Sequence, residues 1–176
     1  HYVVPALAET PRLPTAYPED GQPGGTLRCV AAGDEDEPVS FLLYPSETLA
    51  RVELAASPLA GPGGARLPAP DLKAVLVWYQ NGNAWNSYFA DPGLTLVPEL
   101  LVHDENLIRV DRVRTANYAR VVSGTATNWV WISPPRKLDT GFNAYQEGFA
   151  DAETLQPVTL TAGEFRSFIA TVRVPP

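Results

Sequence analysis

The chain of 176 residues has no methionine, one cysteine, two histidines and no long apolar run. A lone cysteine can close no intramolecular disulfide and build no thiolate metal cluster within one chain. Set in "TLRCVAA", Cys29 reads as a buried and inert strand residue. No stretch approaches the eighteen or so apolar residues that span a bilayer, so no membrane partner is expected. Basic residues are few and scattered: 13 Lys+Arg stand against 20 Asp+Glu, giving a formal charge of -7. A surface that tracks phosphates needs clustered cations, so nucleic acid is not an expected partner either. With no methionine and His1 in first place, the sequence reads as a processed chain or an excised domain. Removal of a secretory leader is the simplest account, and it places the protein outside the cell or at the cell surface.

Helix formers in periodic array are also missing. Residues 1–25 carry Pro5, Pro11, Pro14, Pro18 and Pro23, whose fixed φ and missing N–H groups exclude a helix. An extended arm is expected there, with "YVVPAL" laid along a sheet edge where proline is tolerated. From residue 26 onward, short β-branched and aromatic runs alternate with Gly, Pro, Asp and Asn. Strands are predicted at "TLRCVAA", "PVSFLLY", "ARVELAA", "LKAVLVWYQ", "NLIRVD", "NYARVVS", "NWVWIS", "LQPVTL" and "FRSFIATVRV". "VPELLVHDENL" can be a helical turn or a strand followed by a bend. "SFLLY", apolar on both faces, is expected at the centre of its sheet. The expected fold is all-β, a two-layer antiparallel β-sandwich over residues 26–176, preceded by the proline-rich arm of residues 1–25.

Catalytic constellations are thin. Glu99, Asp104 and Glu105 gather in "PELLVHDE", but carboxylates fall together by chance in an acidic chain, and a glycosidase needs two of them held across one bond. His103 is the single internal histidine a triad could use, and no "GxSxG" elbow accompanies it. His1 and His103 raise a different possibility, a copper brace of the N-terminal amine and two imidazoles, as in copper-dependent polysaccharide oxidases. No cofactor is otherwise expected.

What is present in strength is aromatic and amide side chains. "WYQNGNAWNSYF", residues 78 to 89, offers flat rings for the faces of pyranose sugars and amides for their hydroxyls. Trp78 reads as core. Trp85 and Tyr88, with Asn81, Asn83 and Asn86, are the candidate ligand-binding residues. In "NWVWIS", one of Trp129 and Trp131 is expected to face the core, and the other to meet solvent, ligand or a neighbouring domain.

The phrases "EPVSFLLYP", "VWYQNGNAWNSYF", "LVPELLVHDENLIRVD", "NYARV", "WVWIS" and "DAETLQPVTLTAGEFRSFIATVRVP" together resemble the N-terminal β-sandwich domain of large secreted glycoside-hydrolase-like proteins, akin to glycoside hydrolase family 123 and its relatives. The resemblance covers residues 26–176. It implies a non-catalytic accessory module that precedes a separate catalytic domain, and it transfers no catalytic residue. The expected partner is then a polysaccharide or a neighbouring protein domain. The alternative is a secreted structural subunit of a filament, surface layer or virion, self-associating by strand addition through its N-terminal arm.

Overall fold

A computed structural model describes residues 1–8, 10–81, 93–132 and 150–176. It is all-β, and helix among the described residues is limited to single 3-10 turns. No helix there is long and apolar enough to cross a membrane. The strands are β1 (Tyr2–Val4), β2 (Gln22–Pro23), β3 (Asp36–Leu43), β4 (Leu49–Val52), β5 (Leu59–Ala60), β6 (Arg66–Leu67), β7 (Asp71–Asn81), β8 (Leu94–Val102), β9 (Ile108–Asp111), β10 (Ala116–Ser123), β11 (Ala126–Trp131), β12 (Val158–Leu160) and β13 (Arg166–Arg173). They form a six-stranded sheet in the order β2-β1-β3-β13-β7-β8, a three-stranded sheet β11-β10-β9, and two-stranded sheets β12-β4 and β5-β6.

The chain divides into two compact units. One holds residues 1–75, 101–104 and 152–176; the other holds 76–100 and 105–151. The ladder between β13 and β7 shows where the division begins. It runs from Thr171 opposite Asp71 to Phe168 opposite Ala74, so the rest of the 11-residue β7 continues without β13.

In the first unit, residues from two sheets share an apolar filling. Phe168 and Ala74, from the large sheet, pack with Val158 and Leu160 from β12, and Phe41, Leu43, Val52, Leu54 and Leu155 close around them. Phe41 and Phe168 stack with centroids 5.3 Å apart. Alternation accounts for this: Val52 and Leu54 alternate with Arg51 and Glu53, and Phe168, Ala170 and Val172 alternate with Ser167, Thr171 and Arg173, so that Val52, Leu54 and Phe168 turn inward. β3 lies between β1 and β13, which is the interior position its apolar sequence calls for.

The proline-rich arm is non-helical, and "YVV" pairs with the edge of β3 as expected, Tyr2 opposite Leu42 and Val4 opposite Ser40. β2 then covers β1 from outside, with Pro23 on that outermost strand. Tyr2 and Tyr17 set their rings edge-on to Phe165, and Tyr44 lies against the same ring. The rung that strand exchange would make with another copy is thus made here within one chain.

"TLRCVAA" departs from expectation. It is not a strand; Cys29 is exposed and Val30 is 93% exposed. β1 already takes the edge of β3, and a β-prone segment with no ladder partner has nothing to hold its backbone in a sheet. "VPELLVHDENL" resolves as β8 followed by a bend and the 3-10 turn Glu105–Leu107.

Candidate functional site

The second unit carries the three-stranded sheet, and local chemistry sets its register. Ser123 pairs with Ala126 across a two-residue turn in which Gly124 takes a φ of 59°, a left-handed value glycine adopts without steric cost. This places Tyr118 opposite Trp131 and Arg120 opposite Trp129. On the other side of β10, Asp111 closes the turn to β9 by accepting from the N–H groups of Val113 and Arg114, at 3.0 and 2.9 Å, and from the Arg114 guanidinium at 2.9 Å. The backbone N–H and the guanidinium of Arg114 hold the Asp111 carboxyl below the usual carboxylate range. That turn sets Arg109 opposite Tyr118.

Residues opposite one another share a face, so the sheet is two-sided. One face presents Ile108, Asn117, Ala119 and Val121, all buried. Asn117, 1% exposed, acts as a false rung: its Nδ2 donates to the Tyr79 carbonyl at 2.7 Å, and its Oδ1 accepts from the Tyr79 N–H at 3.0 Å. The other face presents Arg109, Tyr118, Arg120, Trp129 and Trp131.

Trp129 and Trp131 are both on that outer face, 38% and 47% exposed. The expectation that one of them faces the core is therefore wrong, for a simple reason. Side chains two residues apart on a regular strand point the same way. The guanidinium carbon of Arg109 lies 4.8 Å from the ring centroids of both Tyr118 and Trp129, so one cation covers two rings. Tyr118 and Arg109 were not singled out by sequence reasoning. The "SGT" turn between two alternating runs was the available signal, because it sets which residues share the face.

Of the residues expected to bind ligand, Asn83, Trp85, Asn86 and Tyr88 lie outside the described residues, and Asn81 is described only as the last residue of β7. Trp78 is half-buried, and its indole N–H is buried without a hydrogen-bond partner.

The histidines do not form a brace. Nε2 of His1 lies 3.1 Å from the Gly25 carbonyl, while Nε2 of His103 lies 2.7 Å from Asp71. His1 adjoins β1 and His103 follows β8, four places away in the sheet order. At about 4.8 Å per strand that is about 19 Å, far beyond a shared copper ion. No group of three His, Cys, Asp or Glu side chains that could hold a metal occurs among the described residues. Partial burial raises the Asp71 carboxyl, but hydrogen bonds from His103 and Lys73 outweigh this and hold it below its ordinary range. The pair ties the start of β7 to the bend after β8, where the His103 carbonyl also accepts from the Gln156 N–H at 2.7 Å. Of the suspected carboxylates, Asp104 is buried and Glu99 is exposed. A groove of about 470 Å³ in the first unit, of mixed polar and apolar lining, is formed by Leu54, Ala56, Pro70, Asp71, Leu72 and Leu155 among others.

No protein-family model matches the chain, and no curated protein or solved structure matches it significantly.

Proposed function

We propose that this protein is a non-catalytic module of an extracellular carbohydrate-active protein and that it binds glycan on the outer face of β9, β10 and β11. The observation that carries this reading is the pair Trp129 and Trp131, exposed side by side on one face of a sheet that buries Ile108, Asn117, Ala119 and Val121 on the other. Large rings left in water forgo the benefit of burial, and a partner with flat apolar patches recovers it. Rings two residues apart on a strand stand about 7 Å apart, a spacing that lets one bound saccharide chain meet both. Tyr118 extends the platform across the strand, and Arg109 fixes two of its rings in place. The phrases that resemble accessory domains of glycoside-hydrolase-like proteins support the same reading.

Affinity electrophoresis of the purified chain through gels containing a panel of polysaccharides tests it. At least one polysaccharide is expected to retard migration. Trp129→Ala and Trp131→Ala are each expected to weaken that retardation about tenfold or more, the equivalent of about 1.4 kcal/mol, with unchanged far-ultraviolet circular dichroism. Migration unaffected by every glycan sinks the proposal.

A further inference from the structure

Resting on the glycan reading of the β9-β10-β11 face, we infer that the ligand is an acidic glycan and that Arg109 is the residue that reads its carboxylate. The first ground is an unanswered charge. Arg109 is exposed, and no Asp or Glu among the described residues forms an ion pair with it. The acid nearest along its own strand and face is Asp111, two residues on, which is engaged by two backbone N–H groups and the guanidinium of Arg114. An exposed cation on an aromatic platform without a counter-ion among the described residues leaves that role to a ligand.

The second ground is preorganisation. A guanidinium is a planar fork of five donors that meets a carboxylate through two parallel N–H···O bonds. Arg109 lies within cation–π range of Tyr118 and of Trp129, which restricts the side chain before any ligand arrives. A uronic acid presents both features such a site asks for, a pyranose face for the indoles and a carboxylate at the ring's edge for the fork. A neutral sugar would satisfy the rings and leave the cation unpaired.

The test uses affinity electrophoresis with polygalacturonate, alginate and hyaluronan, each run beside its carboxyl-reduced form, together with a set of neutral polysaccharides. At least one acidic glycan is expected to bind at least tenfold more tightly than its reduced counterpart, and less tightly as salt is raised. Arg109→Gln is expected to weaken that binding about tenfold, and Arg109→Lys, which keeps the charge but loses the fork, by a smaller factor. The Trp129→Ala variant is expected to lose acidic and reduced forms alike. Equal affinity for both forms, or Arg109→Gln without effect where Trp129→Ala abolishes binding, overturns the carboxylate inference and leaves glycan binding standing. Tighter binding to a single-stranded oligothymidylate than to any glycan overturns the inference as well. Retardation by no glycan at all removes both.

Discussion

Asn117 shows how one side chain can hold a sheet together. Its amide supplies both a donor and an acceptor to the backbone of Tyr79, in the geometry a neighbouring strand would otherwise provide. An aspartate cannot do this, since an ionised carboxylate only accepts, and an alanine leaves a backbone N–H and a carbonyl unpaired. Each such group costs about 1–3 kcal/mol when buried. Asn117→Ala is therefore expected to destabilise the protein by about 2–4 kcal/mol, read as a lower urea midpoint with an unchanged m-value. A loss below about 1 kcal/mol would mean that water replaces the amide there. The polar and aromatic residues of β10 thus have opposite duties, Asn117 inward as a rung and Tyr118 outward under Arg109. Only the parity of the strand separates them.

At the scale of elements, the arm is the clearest case of a segment whose fate depends on its neighbours. "YVV" and "TLRCVAA" are both apolar and β-prone, yet the first pairs with β3 and the second stays exposed and unpaired. The aromatic contacts of Tyr2 and Tyr17 with Phe165, and the hydrogen bond from the Phe165 N–H to the Pro14 carbonyl at 2.7 Å, favour the first. Deleting residues 1–25 strips β1 and β2 away and leaves the N–H and C=O groups along one side of β3 open to another chain. The truncated protein is expected to associate at concentrations where the full chain does not, as read by sedimentation velocity. A truncated chain that sediments as a monomer would show that the arm does not protect this edge. The 3-10 turn after β8 illustrates the same dependence, since the leucines of "VPELLVHDENL" fit a helix or a strand equally well until a ladder partner is present.

At the scale of the whole molecule, the described tryptophans, Trp78, Trp129 and Trp131, belong to the second unit, while Phe168 stands in the core of the first. Fluorescence therefore reports one unit, and far-ultraviolet circular dichroism reports both. β7 and β8 each contribute residues to both units, so losing either strand disturbs both. Phe168→Ala, which empties a fully buried aromatic site, is expected to cost about 3–5 kcal/mol and to shift the fluorescence and dichroism midpoints together. A fluorescence midpoint that stays in place while the dichroism curve becomes biphasic would show that the units unfold separately.

The amino-acid sequence by itself determined that the fold is all-β, which of the strong runs are strands, where the helix-free arm lies and which face of the last strand is buried. Those properties follow from side-chain periodicity and from proline and glycine, which act over a few residues. It also held the parity that puts Trp129 and Trp131 together, a relation two residues long that was nevertheless misassigned by asking which of the two is core. Only the tertiary structure decided that "TLRCVAA" goes unpaired, that His1 and His103 stand on separated strands, and that Arg109 comes to lie over Tyr118 and Trp129. Each of these depends on which strands become neighbours. Strand pairing joins residues distant in the chain through backbone groups that every residue carries, so local side-chain pattern does not specify it.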